Sequence, residues 1–295
     1  MPDGLPDIGP GRPRIPSEVA DPLADLPPLR EVVAQHEIRA TKTLGQNFLL
    51  DLNLTRKIAR AGGPLDGQTV LEIGPGPGGL TRALLAEGAA HVVAVERDRR
   101  CLAALEELAA AVPGRLTLVE ADALEIDEHA LSPRPRRVVA NLPYNISTPL
   151  LFKWLDRLEL FESLTLMFQK EVAQRIAAQP GGKAYGRLSV MVQWRCRARA
   201  LFDLPPRAFT PAPKVTSTVI GLEPRTEPLA PADATRLEAV VAAAFGQRRK
   251  MLRSSLRQLS ADPVGLLQSA GLEPTLRAEN LSVEQFCALA RACRG

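Results

Sequence analysis

The sequence lacks the features that mark membrane-spanning, disulfide-bonded and metal-binding proteins. No apolar stretch approaches the roughly 20 residues that a membrane-crossing helix needs. The cysteines form no C-x-x-C pair and show no metal-ligand spacing, and the amino end carries no secretory signal pattern. They are Cys101, Cys196, Cys287 and Cys293. We therefore expect ordinary thiols, no metal site, no membrane association and a cytoplasmic protein.

A strong excess of charge of one sign is also missing. The net charge is +4 at pH 7, so a polyanionic partner has to meet a local cluster of cations rather than the whole surface. With 295 residues and 45% hydrophobic content, the chain can form one large α/β core and a smaller second domain. Residues 1–28 combine many prolines with scattered acids, which predicts a flexible tail. The proline-rich run EPRTEPLAP predicts a linker, and the residues 223–295 have a helical pattern.

Short β-branched runs alternate with helical patterns through the middle of the chain. The first five runs span 69–74, 91–97, 116–122, 136–142 and 163–169. This alternation is typical of a doubly wound α/β fold, a mostly parallel sheet with helices on both faces. Two later runs, 188–194 and 215–222, have no long helix between them, which predicts an antiparallel hairpin that completes a seven-stranded, Rossmann-like sheet. This domain is expected to span residues 29–222, with a first helix over about 28–36.

A glycine-rich turn, LEIGPGPGGLT, follows the first predicted strand of the sheet. Gly74, Gly76 and Gly79 allow a ligand to approach the backbone closely, and the helix that follows offers free N–H groups at its amino terminus. Their spacing also matches the dinucleotide motif G-x-G-x-x-G, which alone is a weak indication. Glu72 would repel a pyrophosphate, and Pro77 removes an amide donor that a pyrophosphate would use. The turn therefore favours a cationic ligand such as S-adenosylmethionine.

Polar residues also follow the next three predicted strands. Glu96 is placed to accept hydrogen bonds from both hydroxyls of a ribose. Asp122 follows the third strand, where its carboxylate can accept from an adenine amino group, and Asn141 follows the fourth. Ligands of such sheets bind beyond the carboxyl ends of the strands, so these residues should converge with Gly74. The alternative is that acids at strand ends cap helices or face solvent.

The segment Asn141 to Tyr144, NLPY, suits methyl transfer to the amino group of adenine. That nitrogen is a poor nucleophile because its lone pair is delocalised into the ring. The amide oxygen of Asn141 and a main-chain carbonyl at Leu142 or Pro143 can accept its two N–H groups and stabilise the developing positive charge. Tyr144 offers a flat face on which an extruded base can stack. The alternative is a strand-to-loop turn with a capping Asn and a packed Tyr.

Eight stretches of the chain together form a highly specific set of motifs. They are LGQNFLLD (44–51), EIGPGPGGLT (72–81), VERD (95–98), ADAL (121–124), NLPYNIS (141–147), FQKEVAQRI (168–176), PPRAFTPAPKVTS (205–217) and FGQRRKMLRSSL (245–256). On these motifs, about residues 30–290 resemble the small-subunit (16S) ribosomal RNA adenine N6,N6-dimethyltransferase family. The chain is more loosely similar to the erythromycin-resistance methyltransferases.

The resemblance implies a class I methyltransferase that modifies two adjacent adenosines near the 3′ end of small-subunit rRNA, with four methyl transfers in all. Carried over to matching positions, it implies that Asn47 and Leu49 line the methionine side of S-adenosylmethionine. The remaining cofactor contacts would be Gly74, Glu96, Asp122 and Asn141. Phe209 would close the face of the target base opposite Tyr144. The alternative for Phe209 is a core residue that anchors a proline-rich loop.

A cluster of cations near the carboxyl end is the predicted RNA contact. Its members are Arg248, Arg249, Lys250, Arg253 and Arg257. On a single helix, residues 249, 253 and 257 would form a one-sided stripe that suits phosphates and makes binding sensitive to salt. The alternative is a solvated helix face. Three further arginines alternate along a predicted strand, where they could extend the footprint or pair with acids. They are Arg195, Arg197 and Arg199.

Three other functions stay open at this point. The first is a ribosome-assembly factor that kept the fold but lost its catalytic activity, and the intact segment 141–144 argues against it. The second is a large-subunit rRNA methyltransferase, which would share the same site. A nicotinamide-dependent oxidoreductase would need a hydride-transfer His or a Tyr-x-x-x-Lys arrangement, and the sequence offers neither in a plausible place. The mild net charge favours a pre-assembled 30S-like particle over free RNA as the substrate. We expect the enzyme to act as a monomer.

Overall fold

The computed structural model describes residues 23–131 and 136–293, and seven strands of this part form one sheet. The described residues contain nine strands in all, of which β1 and β8 lie outside this sheet: β1 (Phe48–Leu49), β2 (Thr69–Ile73), β3 (His91–Glu96), β4 (Leu116–Glu120), β5 (Arg136–Ala140), β6 (Phe161–Gln169), β7 (Cys196–Leu204), β8 (Phe209–Thr210) and β9 (Ser217–Pro224). The sheet order is β4-β3-β2-β5-β6-β9-β7, and β1 pairs with β8 in a separate ribbon. Strand β9 runs antiparallel to its two neighbours, β6 and β7, whereas the other neighbouring pairs in the sheet are parallel. The predicted seven-stranded, mostly parallel sheet is confirmed.

Helices cover both faces of this sheet. The helices of the described residues, of which α9 to α12 follow the sheet, are α1 (Leu29–Gln35), α2 (Leu52–Ala61), α3 (Gly79–Ala86), α4 (Arg99–Ala111), α5 (Glu128–Leu131), α6 (Ser147–Leu155), α7 (Lys170–Ala177), α8 (Arg187–Arg195), α9 (Ala234–Gly246), α10 (Leu252–Ser255), α11 (Pro263–Ser269) and α12 (Val283–Ala292). Short 3₁₀ helices span Lys42–Leu44, Leu158–Leu160, Pro206–Ala208, Leu256–Gln258 and Ala278–Asn280. Alternate strand residues face opposite sides. Leu71 therefore packs in the cluster that contains α6, whereas Val70 packs in the cluster that contains α3.

The carboxyl-terminal helices α9 to α12 build a third core of their own. Leu237, Val241 and Phe286 are fully buried there, and Trp194 at the end of α8 belongs to the same cluster. This confirms the helical pattern predicted after residue 223, although strand β9 continues to Pro224.

The prediction of a strand over 188–194 is wrong, because these residues form most of helix α8. The helix is buried between two cores: Leu188 and Val192 pack against the sheet, whereas Val190 packs against the carboxyl-terminal helices. Burial on two sides produces a nearly continuous apolar run, which looks like a buried strand in the sequence. The predicted hairpin does exist, but its first strand is β7, which pairs antiparallel with β9.

Some residues ahead of the tail boundary predicted at residue 28 are packed against the fold. Leu23 and Leu26 pack against the core on the α3 side, and Arg82 of α3 donates a 2.7 Å hydrogen bond to the Pro27 carbonyl. The rest of the predicted tail, residues 1–22, lies outside the described residues.

Two further properties of the described residues concern helix length and the grouping of side chains. No helix within 23–131 and 136–293 is long and apolar enough to cross a membrane. In the same ranges, His, Cys, Asp and Glu side chains form no group of three or more that could hold a metal ion. The cysteines are free thiols, and Cys101, Cys196 and Cys287 are buried.

Candidate active site

A cleft lies at the carboxyl edge of the parallel strands. Four stretches of chain line it, at 44–49, 72–80, 96–97 and 141–146. Three of these follow β2, β3 and β5, which are neighbours in the sheet. The predicted convergence of strand-end residues is therefore seen for Gly74, Glu96 and Asn141.

The glycine-rich turn lies directly against the 44–49 stretch. Gly76 has a φ of +56°, and a Cβ built on it would lie 2.9 Å from Cδ1 of Phe48. A Cβ on Gly79 would lie 2.4 Å from the Leu49 carbonyl oxygen. Larger residues at these positions would push Phe48 and Leu49 away. The glycines thus let a second chain segment close on the turn, in addition to any ligand.

Glu72 is an acid buried at the floor of the cleft. Its side chain is 1% exposed, and its Oε2 accepts a 2.7 Å hydrogen bond from the Thr81 hydroxyl. Burial raises the pKa of Glu72 to about 8; the Thr81 hydrogen bond opposes this rise, and the neighbouring Glu96 carboxylate adds to it. A cation bound in the cleft would favour the ionised carboxylate.

Binding of S-adenosylmethionine is expected to release a proton from Glu72 below about pH 8, so its affinity should increase as pH rises from 6 to 8 and level off above. The stability of the ligand-free protein should instead fall as the pH rises. Because the folded pKa is raised, the stabilisation linked to Glu72 is complete below the ordinary pKa of 4.5 and is lost as pH rises through about 8. Calorimetric titrations in buffers of different protonation enthalpy would measure the released proton.

Glu72→Gln is the matched variant for this prediction, because it keeps the size of the side chain and removes its titration. It should bind the cofactor more weakly, with an affinity that stays flat between pH 6 and 8. Proton release that persists in Glu72→Gln would assign the titration to another group, such as Glu96.

Glu96 is held rigidly at the end of β3. Its Oε1 accepts from the main-chain N–H groups of Arg97 and Asp98, both at 2.9 Å, and its Oε2 accepts from the Gly76 N–H at 3.1 Å. Burial raises the pKa of Glu96, and these three hydrogen bonds oppose the rise. The Gly76 bond fixes the carboxylate beside the glycine-rich turn, where Oε2 has a further lone pair for a ribose hydroxyl.

Asp122 does not reach the cleft in this structure. Its Oδ2 lies 2.8 Å from Nη1 of Arg97, and its Oδ1 accepts from the Leu124 N–H at 3.0 Å. Arg97, rather than Asp122, lines the cleft. The carboxylate thus caps its own loop, and an adenine contact at Asp122 requires the ion pair with Arg97 to open.

The 41–49 segment crosses the cleft and is attached at both sides. On the β3 side, the Gln46 side chain donates to Asp98 Oδ2 at 3.0 Å and accepts from the Thr41 N–H at 2.9 Å. On the β5 side, the Asn47 carbonyl accepts from Nδ2 of Asn141 at 2.9 Å. Asn47 was predicted from the sequence as a site residue, whereas Gln46 and Asp98 were not, although they lie inside the motifs LGQNFLLD and VERD.

Asn141 is oriented by its contact with the 41–49 segment. Because its NH₂ group donates to the Asn47 carbonyl, its amide oxygen is left to accept; among the described residues no donor bonds to that oxygen. The next residues form a turn in which the Pro143 carbonyl accepts from the Ile146 N–H at 3.1 Å. The Leu142 side chain is buried, whereas Tyr144 is half-buried and lines the cleft.

Phe209 is not brought to the cleft. It is 4% exposed and pairs with Leu49 in the β1–β8 ribbon, with its side chain in the core on the α3 side. The structure therefore shows the core position that was the alternative for this residue. A stacking role for Phe209 would require the ribbon to open.

The prediction that the cations form a stripe on one helix is wrong. Helix α9 ends at Gly246, and the next helix, α10, begins only at Leu252. There the Leu252 N–H donates to the Leu276 carbonyl at 2.8 Å. Arg248 is engaged internally: its guanidinium bonds to Glu279 at 3.0 Å and to the Gly182 carbonyl at 3.2 Å. The other four cations of the cluster are exposed, and no acid within 23–131 or 136–293 pairs with them. They are Arg249, Lys250, Arg253 and Arg257.

The arginines predicted on one strand face divide between two elements. Arg195 ends helix α8, with its guanidinium carbon 5.4 Å from the Trp194 ring centre. Arg197 and Arg199 lie on β7, where Arg199 forms an ion pair with Glu223. Among the three, the Arg197 side chain alone has no ion-pair or aromatic partner in the described residues.

The cleft fits S-adenosylmethionine. Gly74, Gly76 and Gly79 expose the backbone of the turn to a ligand, Glu72 can provide a negative charge for a cationic group, and Glu96 provides an acceptor for hydroxyls. This set of groups, together with the strand order and one antiparallel strand, defines a class I S-adenosylmethionine-dependent methyltransferase.

Comparison with known proteins assigns the family. The model of the family described as Ribosomal RNA adenine dimethylase matches residues 37–294, and the chain belongs to this family. It is 63% identical to the Ribosomal RNA small subunit methyltransferase A of Rhodospirillum rubrum over 90% of this chain and 92% of the relative. It is 61% identical to the protein of that name from a Ruegeria species, over 92% and 98% of the two chains.

Two solved structures share the fold. A dimethyladenosine transferase from Plasmodium falciparum superposes with a TM-score of 0.68 at 26% identity, covering 81% of this chain and 94% of its own. The 23S rRNA methyltransferase ErmE superposes with a TM-score of 0.65 at 29% identity, covering 84% of this chain and 99% of its own. The chain is therefore an enzyme of the methyltransferase class that the motifs predicted.

Proposed function

We propose that this enzyme dimethylates N6 of two adjacent adenosines near the 3′ end of small-subunit (16S) rRNA, during ribosome biogenesis. The observation that carries this proposal is the orientation of Asn141, whose NH₂ group is engaged by the Asn47 carbonyl so that its amide oxygen can accept. The relatives named Ribosomal RNA small subunit methyltransferase A support the choice of substrate.

Two acceptors of the chain would form hydrogen bonds with the amino group of the target adenine. One is Oδ1 of Asn141. The other is the Leu142 carbonyl; the neighbouring Pro143 carbonyl already accepts one hydrogen bond, from the Ile146 N–H. Acceptance of both N–H groups localises the nitrogen lone pair and stabilises the positive charge that develops on the nitrogen. S-adenosylmethionine, when bound, supplies an electrophilic methyl group.

The adenine must leave its stack before it can enter the cleft. Extrusion of a base costs a few kcal/mol, and stacking on an aromatic ring returns roughly 1–3 kcal/mol. Two aromatic residues of the described chain line the cleft, Phe48 and Tyr144. Phe48 is buried, whereas Tyr144 is half-buried, so Tyr144 is the ring proposed for stacking. No general base of the chain is required, because a methylated, cationic amino group loses its proton readily to water.

The proposal is tested by methyl mapping. The enzyme is incubated with isotope-labelled S-adenosylmethionine and small-subunit particles that lack the modification, and the rRNA is digested and analysed by mass spectrometry. Two adjacent adenosines near the 3′ end should each carry two labelled methyl groups. Label in large-subunit RNA only, or no label in either subunit, would contradict the proposal.

A pre-assembled particle is the proposed substrate, and a monomer is the proposed enzyme. The net charge of +4 is low for a protein that must bind a long RNA without other contacts. Since such particles are assembled in the cytoplasm, we expect the enzyme there.

The carboxyl-terminal helical region is the proposed RNA-binding domain. Arg249→Ala and Lys250→Ala are each expected to weaken binding to the particle, and each should lower the slope of log affinity against log salt by about 1, because a phosphate contact is lost. Filter binding over a series of salt concentrations would measure both quantities.

Arg236→Ala is the matched control, since Arg236 is exposed on α9 of the same region and lies outside the cluster. It should leave the slope unchanged. Equal slopes for the wild type and the Arg249 and Lys250 variants would remove these residues from the RNA footprint. Arg248→Ala is expected to act on stability instead, because Arg248 bonds to Glu279 and Gly182.

A further inference from the structure

The hydroxyl of Tyr144 is anchored to the sheet. It lies 2.6 Å from the hydroxyl of Ser217, and either group can donate the hydrogen bond. Ser217 is fully buried and is the first residue of β9, where it pairs with Gln169 of β6 and Leu204 of β7. The anchor point therefore lies between two strands of the sheet rather than on a loop.

This bond controls how the Tyr144 ring can move. The main chain at Tyr144 is fixed by the turn, where its carbonyl accepts from the Ser147 hydroxyl at 3.1 Å. The ring itself can still rotate about its side-chain bonds. A hydrogen bond at its far end removes that freedom. Burial raises the pKa of the Tyr144 phenol, so the hydroxyl stays protonated at neutral pH.

We propose that Ser217 is a positioning residue, which holds the Tyr144 ring in the orientation that the target adenine stacks on. This inference rests on the proposed function, because it assigns the stacking face to Tyr144. A ring that is fixed before the base arrives loses less freedom on stacking, and correct placement of the reacting nitrogen is the main source of rate in such a transfer.

A purely structural explanation makes different predictions. A buried serine hydroxyl needs a hydrogen-bond partner, and Tyr144 could serve Ser217 in that way alone. In that case, Ser217→Ala would lower the melting temperature and leave the rate of methyl transfer unchanged. If Ser217 positions the ring, Ser217→Ala must lower the rate of methyl transfer for the same reason as Tyr144→Phe, because both variants remove the hydrogen bond that holds the ring.

A double-mutant cycle separates the two explanations. Single-turnover methyl transfer to unmodified small-subunit particles, at saturating S-adenosylmethionine, is measured for Ser217→Ala, Tyr144→Phe and the double variant. Each single variant should lose roughly fivefold to tenfold in rate, as expected for one neutral hydrogen bond. The double variant should lose no more than either single one, and cofactor affinity should stay at the wild-type value in all three.

Ser189→Ala is the matched control for loss of a buried serine hydroxyl. Ser189 is fully buried in α8, and its hydroxyl donates to the Arg175 carbonyl. This variant should lower the melting temperature without lowering the single-turnover rate. Tyr144→Phe removes the same bond from the cleft side, so the inference can be tested even if Ser217→Ala folds poorly.

A spectroscopic readout that needs no RNA is available because the chain has only two tyrosines, Tyr144 and Tyr185. Protein labelled with 3-fluorotyrosine should give two ¹⁹F resonances, and Tyr144→Phe assigns one of them. Ser217→Ala should shift and broaden the Tyr144 resonance and leave the Tyr185 resonance unchanged. Tyr185 belongs to the carboxyl-terminal core and serves as the internal reference.

The outcomes distinguish this inference from the proposed function. An active wild-type enzyme with an unchanged rate in Ser217→Ala, or with additive losses in the double variant, would overturn the inference alone. An unchanged Tyr144 resonance in Ser217→Ala would also overturn it. A wild-type enzyme that methylates no adenosine in the particles would overturn the proposed function, and the inference with it.

Discussion

Asn141→Ala is expected to lower the single-turnover rate of methyl transfer by about 10²- to 10³-fold, the effect of removing one group that stabilises developing charge in a water-excluded site. The variant loses the amide oxygen that accepts from the adenine amino group. Cofactor affinity should fall only modestly, because Glu72 and Glu96 are unchanged. Rapid-quench measurement of methyl transfer to unmodified particles, together with calorimetric titration of the cofactor, checks both expectations.

Asn145→Ala is the control for this prediction. Asn141 and Asn145 both donate to carbonyls of the 41–49 segment, at Asn47 and Thr43 respectively, with distances of 2.9 Å and 3.5 Å. Loss of attachment alone should therefore affect the two variants similarly. A large rate loss in Asn141→Ala only would assign it to the amide oxygen, whereas equal losses would mean that Asn141 acts by holding the segment.

Glu96→Ala is expected to weaken S-adenosylmethionine binding by about 100-fold, since a charged acceptor of hydroxyl groups contributes about 1.5–3 kcal/mol per hydrogen bond. Removal of the carboxylate also releases the Gly76 N–H, which shapes the glycine-rich turn. At saturating cofactor, the rate of methyl transfer should stay near the wild-type value. Equilibrium dialysis and single-turnover kinetics would separate the two quantities.

Glu120→Ala provides the comparison for Glu96→Ala. Glu120 is the partner of Glu96 in the neighbouring strand β4, but it is exposed and pairs with Arg99 at 2.6 Å. It should bind the cofactor as the wild type does. If Glu96→Ala reduced the rate and Asn141→Ala reduced cofactor affinity, the two roles in the cleft would be reversed.

The sheet could be predicted from the sequence because its strands are buried in a repeating way. Runs such as 69–74 and 91–97 are short, β-branched and separated by helical patterns, and each matches a strand within one or two residues. The apolar run 188–194 was wrongly predicted as a strand, because helix α8 is buried between two cores. Periodicity does not distinguish a strand from a helix that is buried on two sides.

The site could be predicted in part, for a physical reason that also explains the failures. Residues at the carboxyl ends of neighbouring parallel strands share one edge of the sheet, so Glu96 and Asn141 were found from their position in the chain. Contacts such as Gln46 with Asp98, or Tyr144 with Ser217, join distant segments and have no local pattern. The ion pair of Asp122 with Arg97 could not be predicted for a similar reason, since it depends on how two loops meet.

The most direct test of the mechanism is a crystal structure of the enzyme with S-adenosylhomocysteine and adenosine 5′-monophosphate. The adenine N6 should lie about 2.9 Å from both Oδ1 of Asn141 and the Leu142 carbonyl oxygen, with the ring stacked on Tyr144. The NH₂ group of Asn141 should still donate to the Asn47 carbonyl. An adenine bound in the cleft with the Asn141 side chain turned away from N6 would contradict the mechanism.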